Sequence, residues 1–113
     1  MSASIVDNST MALESRITLN ALKIMSLLYE SMEGEHYGLS IIKATGIGNG
    51  TLYPILDKLE EGGLISASWE AVDTQVVKRR PRRYYRLTAD GIKRYEAERA
   101  HFLPSSRKGL PHV

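Results

Sequence analysis

The sequence predicts a mainly α fold with a small β-hairpin, a winged helix-turn-helix, on three observations. Apolar residues recur at helical spacing in three successive segments between Arg16 and Glu61. Two shorter segments, Leu64 to Glu70 and Arg82 to Thr88, alternate as strands do, with Tyr85 and Leu87 on one face. A last helical segment opens at Ala89, which gives the order helix, helix, turn, helix, hairpin, helix.

In the first helix, Arg16 to Met32, the positions Ile17, Ala21, Ile24 or Met25, Leu28 and Met32 form a stripe that Leu22 and Leu27 widen, so it is heavily buried. Gly34 ends it. The second helix runs from about Tyr37 through Ile41, Ile42 and Ala44 to Thr45, and Gly46-Ile47-Gly48-Asn49-Gly50 turns the chain into the third. That glycine run is no nucleotide loop, because it follows a helix and ends in Thr-Leu-Tyr instead of Gly-Lys-Ser/Thr. Its glycines read as positions that need positive φ or a close helix approach.

The third helix must start between Asn49 and Tyr53, since Pro54 is tolerated only near a helix start, where N–H groups lack intrahelical acceptors. Gly62 and Gly63 stop it. Leu52, Ile55, Leu56 and Leu59 face the core and leave Thr51, Tyr53, Asp57, Lys58 and Glu61 on the other side. In the hairpin, the tip spans roughly Ala71 to Pro81, and Thr74-Gln75-Val76-Val77 within it either extends the strands or touches another subunit. Thr88 reads as the N-cap of the last helix, in which Ile92, Tyr95 or Glu96, and Arg99 or Phe102 share a face until Pro104. The chain thus divides into an N-terminal extension (1–15, partly disordered or a short helix), a winged helix-turn-helix (16–88), a dimerisation helix (89–103) and a flexible basic tail (104–113).

A length of 113 residues supports one domain. No stretch of about 18 apolar residues occurs and the N-terminus lacks a secretory pattern, so a soluble, cytoplasmic, nucleoid-associated protein is expected. With no cysteine there are no disulfides, thiolate zinc sites or cysteine nucleophiles. No nucleophile, base and orienter can be assembled, so neither an enzyme nor a cofactor is expected. Glu33, Glu35 and His36 read as solvated polar surface and not as a metal site, and His101 and His112 are isolated.

The formal net charge of +2 understates the polarity of the chain. Lys78, Arg79, Arg80, Arg82, Arg83 and Arg86 lie close together with no acid among them, while Glu30, Glu33 and Glu35 form a negative region. An isolated basic run is commonly a solvated loop, but this one falls on the wing, the part of such a fold that reaches the nucleic-acid backbone. Lys78, Arg79, Arg80, Arg82 and Arg83 are therefore the candidate phosphate contacts. If Lys78, Arg79, Arg80 and Arg82 each neutralise one phosphate per half of a dimer, about 8 contacts give a log–log salt slope of about −7. Asn49, Thr51, Tyr53 and Lys58 offer donors, a methyl and a ring to base edges. Thr51 has the N-cap of the third helix as a competing role, and Tyr53 has the junction with the second helix. Ser40 and Lys43 are weaker phosphate candidates, and Trp69 reads as a core or wing-anchoring residue.

Gly50-Thr51-Leu52-Tyr53-Pro54, followed by Leu56 and by Leu59-Glu60-Glu61-Gly62-Gly63-Leu64-Ile65, resembles the most recognisable segment of the PadR family. Tyr84-Tyr85-Arg86-Leu87-Thr88-Ala89-Asp90-Gly91 resembles its second, and Tyr37-Gly38-Leu39 sits where that family begins its second helix. The resemblance covers roughly Ile17 to Glu98 and implies a homodimeric repressor that binds double-stranded DNA at a palindromic operator. In resembling proteins aromatic compounds can bind near the dimer interface and relieve repression; the sequence gives no sign of such an effector site here. Two features depart from the family: Pro104 shortens the last helix, which throws dimer contacts onto the first helix and the segment before Arg16, and the wing carries Val76 and Val77. The alternatives are a winged-helix adaptor that docks on another protein and an architectural protein that coats DNA without an operator.

Overall fold

Thr18 opens the first helix: its Oγ1 accepts the Ala21 N–H at 3.1 Å, satisfying one of the donors that a helix start leaves unpaired. This helix, α1 (Leu19–Glu30), is shorter than the Arg16–Met32 expectation and closes at Ser31, whose N–H bonds to the Leu27 carbonyl at 3.2 Å. The structure, a computed structural model, describes residues 17–102; the expected N-terminal extension and basic tail lie outside the described residues.

His36–Tyr37 forms a two-residue strand, β1, before α2 (Gly38–Thr45). It pairs antiparallel with β3 (Arg83–Leu87), placing His36 opposite Tyr85 and Tyr37 opposite Tyr84. The other side of β3 pairs with β2 (Ile65–Trp69), so the expected hairpin is the larger part of a three-stranded sheet ordered β1-β3-β2. A two-residue strand shows no period that could be read in sequence. His36, expected on solvated surface, is buried, and its ring Nε2 donates to the Ser31 carbonyl at 2.6 Å.

α2 is capped reciprocally: Ser40 Oγ accepts the Tyr37 N–H and donates to the Tyr37 carbonyl, both at 2.9 Å. Gly46 ends it at φ 77°, the one position in the glycine turn that requires a left-handed residue. Gly48 has φ −75°, and a Cβ on Gly48 or Gly50 would meet nothing within 4 Å, so for these two the expected backbone requirement is wrong. α3 (Asn49–Glu61) starts from Gly48, whose carbonyl accepts the Leu52 N–H at 2.8 Å. Thr51 therefore lies inside the first turn and is not the N-cap. Pro54 sits a turn deeper than a proline normally stands, and its missing N–H removes the i→i−4 bond that the Gly50 carbonyl would otherwise accept.

Leu52, Leu56 and Leu59 carry α3 into a core shared with Ile24, Met25 and Leu28 of α1, Ile41 of α2 and Ile65 of β2. Truncating a buried leucine such as these typically costs about 2–5 kcal/mol, enough to hold the outward face of α3 in a fixed orientation. The turn after α3 is pinned to the start of α5 (Ala89–Phe102): Thr88 donates from Oγ1 to the Gly63 carbonyl at 2.6 Å and from its N–H to the Leu64 carbonyl at 3.1 Å. A Cβ on Gly91 would collide with that Leu64 carbonyl, so the close approach requires glycine. As expected, Thr88 caps α5, accepting the Gly91 N–H at 2.9 Å. Of the two alternatives on the buried face of α5, Tyr95 is the one that packs, with its ring centroid 4.7 Å from that of Tyr29 on α1. Tyr29 donates its hydroxyl to exposed Glu96 at 2.6 Å, a bond that raises its pKa.

The wing loop holds a fourth, single-turn helix, α4 (Thr74–Val77), so Val76 and Val77 do not extend the strands. Asp73 caps it through the Gln75 N–H at 2.9 Å, and a local cap of this kind overrides the strand preference of two valines. Both valines are exposed, Val76 by 73%.

Candidate nucleic-acid interface

Burial of Leu52, Leu56 and Leu59 leaves Asn49, Gly50, Thr51, Tyr53, Pro54, Asp57, Lys58 and Glu61 exposed on α3. The side chains of Asn49, Thr51 and Lys58 form no hydrogen bond or ion pair among the described residues, so their donors and acceptors stand open to solvent. Thr51 and Lys58 border a shallow groove of about 640 Å³ against Thr18, Leu19 and Asn20 at the start of α1. Tyr53 leans the other way, over Gly38, where any Cβ would collide with its hydroxyl. It therefore covers the junction with α2, the role set against DNA contact in the sequence, and still keeps 44% of its surface exposed. Ser40 is engaged in the α2 cap, while Lys43 is exposed on the same helix.

The wing is organised by an acid that the basic run does not contain. Glu70, one residue past β2, accepts two bonds from the Arg79 guanidinium at 2.8 and 3.1 Å, the Arg82 N–H at 3.0 Å and the Tyr84 hydroxyl at 3.1 Å. The Arg79 bonds, helped by those from Arg82 and Tyr84, hold its carboxyl at a pKa of about 2, and the same pairing raises that of Arg79. Arg83 pairs with Glu60 of α3 at 3.1 Å and lies 5.0 Å from the ring centroid of Trp69. Trp69 is thus a surface residue of the wing, 64% exposed, and not part of the core. Lys78 and Arg80 have no carboxylate partner among the described residues. Lys78 closes α4 with φ 61°, a left-handed conformation that costs a non-glycine residue about 1 kcal/mol.

Between wing and helices lies a cleft of about 250 Å³, lined by Tyr37, Leu39, Tyr53, Pro81, Arg82 and Arg83. The structure brings Tyr53 together with Arg82 and Arg83 in this cleft, which Thr51 and Lys58 do not line. A family model for the transcriptional regulator PadR-like family matches residues 24–97, from the middle of α1 to the middle of α5. The chain belongs to the PadR-like family of transcriptional regulators. It is similar to a PadR-like transcription factor from Bacteroides fragilis, 25% identical over 98% of this chain and 99% of that one, with a TM-score of 0.63. A PadR family transcriptional regulator from Eggerthella lenta is 25% identical over 98% and 96% of the two chains, with a TM-score of 0.59. A variant of MepR from S. aureus, solved bound to an oligodeoxyribonucleotide, shares the fold at 23% identity over 99% and 78%, with a TM-score of 0.70. No curated protein matches the chain significantly.

For this PadR-family chain, sequence reasoning overlooked Glu70, Glu60 and Tyr37. Glu70 lies opposite Arg82 one step past the paired strands, its N–H on the Arg82 carbonyl at 2.7 Å, and the partners of its carboxylate, 9 to 14 residues away, are set by the course of the wing loop. Tyr37 was visible only as part of a motif; its contacts with Arg82 and Tyr84 arise from the β1–β3 pairing. No helix among the described residues is long and apolar enough to cross a membrane, and no group of three or more potential metal-binding side chains occurs among them.

Proposed function

We propose that this PadR-family regulator binds double-stranded DNA sequence-specifically as a homodimeric repressor at a palindromic operator, with α3 in the major groove and the wing on the flanking backbone. One observation carries the reading: the open side chains of Asn49, Thr51 and Lys58 stand on a helix whose buried face is locked into the core, beside a wing whose Lys78 and Arg80 have no acid partner among the described residues. Gly50 and Pro54 add little bulk to the outer side of the helix, which suits close approach to a groove wall. Base edges are read by Asn49, Thr51, Lys58 and the exposed edge of Tyr53. Phosphates are met chiefly by Lys78, Arg80 and Arg82, with Lys43 a weaker contact; Ser40 acts through its cap. Arg79 and Arg83 are held by carboxylates in the free protein.

With three uncommitted wing cations per subunit, about 6 phosphate contacts per dimer give a salt slope of about −5, shallower than the −7 from counting charges in the sequence. The two copies meet along α1 and α5, where Leu19 is 64% exposed beside an apolar groove of about 430 Å³ that Leu22, Leu27, Tyr95 and Arg99 also line. Two-fold symmetry then sets half-sites about 34 Å apart.

Mobility-shift titration of genomic fragments against excess nonspecific duplex tests the reading. A regulator retains a few fragments bearing an inverted repeat, and equal affinity for every duplex would convert the assignment to an architectural protein. A folded protein that binds no duplex at low salt would make the surface a protein-docking one. Sedimentation of Leu19→Glu tests the pairing, with a monomer expected.

A further inference from the structure

Arg82 is the wing cation whose side chain lies against an aromatic ring and not against a carboxylate. Its guanidinium carbon lies 4.1 Å from the centroid of the Tyr37 ring. Its backbone N–H is held by Glu70 Oε1 at 3.0 Å, while the other Glu70 oxygen accepts the Tyr84 hydroxyl at 3.1 Å. The Tyr84 ring in turn meets the Tyr37 ring edge-on, with centroids 5.9 Å apart and planes at 78°. These contacts close a circuit from Glu70 through Arg82, Tyr37 and Tyr84 back to Glu70. A guanidinium stacked on a ring keeps its in-plane N–H donors directed outward, ready for a bidentate acceptor. None of those donors is used by another described residue.

The space beside this guanidinium is the cleft of about 250 Å³, with Tyr53 of α3 also on its wall. That volume is below the roughly 300 Å³ where small-molecule pockets begin, and a phosphate group is compact enough to fit it. A phosphate held there touches the wing and the reading helix together, which would set the register of α3 along the groove. Arg79, by contrast, spends its two terminal nitrogens on Glu70 and the Arg80 carbonyl.

We propose that Arg82 is the wing's bidentate ligand for one DNA phosphate, that Tyr37 and Glu70 are the positioning residues that aim it, and that Arg79 is a strut of the wing and not a DNA contact. The proposal rests on the DNA-binding reading above.

The test is duplex affinity by fluorescence anisotropy over a salt series, on genomic fragments retained by the wild type, with each variant's folding checked by circular dichroism. Arg82→Ala is expected to lose roughly 10- to 100-fold on every duplex and to flatten the log–log slope by about 2, one phosphate in each half-site. Arg82→Lys, which keeps the charge but neither stacks nor forks, keeps the slope while losing about 3- to 10-fold. Tyr37→Leu loses about 3- to 10-fold with the slope unchanged, Tyr37→Phe stays within about twofold of wild type, and Tyr37→Leu costs nothing further once Arg82 is alanine. Arg79→Ala leaves the slope as it is.

Arg79→Ala flattening the slope as much as Arg82→Ala would overturn the assignment, as would losses at Tyr37 and Arg82 that simply add. Wild-type binding with Arg82→Ala unaffected overturns this proposal and leaves the DNA-binding reading standing. A wild-type protein that binds no duplex at low salt overturns both.

Discussion

The outward face of α3 and the wing both offer groups that suit a nucleic acid, and they are built on opposite designs. On α3 the candidate side chains Asn49, Thr51 and Lys58 make no hydrogen bond or ion pair among the described residues, and their placement comes from leucines buried on the far side of the helix. On the wing, which has few buried residues of its own, charged side chains supply the framework: Glu70 draws together Arg79, Arg82 and Tyr84, and Glu60 holds Arg83. A helix face anchored by a core can leave all its polar groups for a partner. A loop without a core has to spend some of its charges on shape. On the proposed reading, the wing cations are therefore not equivalent, because two of them are already paired with carboxylates in the free protein.

The largest effect that would sharpen this contrast is the joint loss of Lys78 and Arg80. Removing both by alanine substitution is expected to weaken every duplex by one to two orders of magnitude and to bring the salt slope from about −5 to about −2. A slope that stays steep would show that the paired arginines release their carboxylates on DNA and that the two kinds of wing cation do not differ.

A smaller and different effect belongs to α3. Asn49→Ala, Thr51→Ala and Lys58→Ala are each expected to shift the preference among operator sequences by about 1–3 kcal/mol, measured by competition between duplexes, with little change in nonspecific binding. Uniform weakening across sequences would place these residues on the backbone with the wing.

Gly50→Ala separates the fold's needs from the interface's. The position has open space and no positive φ, so alanine is expected to raise stability in urea unfolding by about 0.5–1 kcal/mol. The added methyl faces outward from α3 and is expected to reduce operator affinity. Greater stability with unchanged binding would remove the N-terminal turn of α3 from the interface.

The mildest perturbation is acid. Glu70 titrates at about 2 in the folded protein against an ordinary 4.5, so its contribution is fully present above pH 4.5 and is lost as pH falls toward 2. Trp69, the only tryptophan, adjoins Glu70 and reports on this region. Its fluorescence is expected to hold steady down to about pH 4 and to change below it, and Glu70→Gln should abolish that transition. A transition centred near the ordinary carboxylate value would mean that the Arg79 clamp is weak in solution.

Much of this architecture was legible in the amino-acid order because it rests on local rules. Apolar spacing placed α1, α2, α3 and α5, Thr88 was readable as a cap, and Gly62 and Gly63 as a stop. The same periodicity separated the outward residues of α3 from the leucines. Thr51 was ambiguous because a threonine near a helix start suits both a cap and an exposed position, and the choice depends on where Gly48 places the first backbone bond. The single-turn helix α4 was missed because Asp73 and the left-handed Lys78 outweigh the strand preference of Val76 and Val77.

By itself the order of residues determined the four longer helices, the two longer strands, the buried stripe and the family, since each depends on neighbours a few positions apart or on motifs read in a line. Only the tertiary structure decided that β1 completes the sheet, that Tyr37 lies under Arg82, and which of the wing's cations have acid partners. Those outcomes depend on distances between groups far apart in sequence. Charge acts through space, and a run of arginines carries no record of the carboxylates that folding will bring beside it.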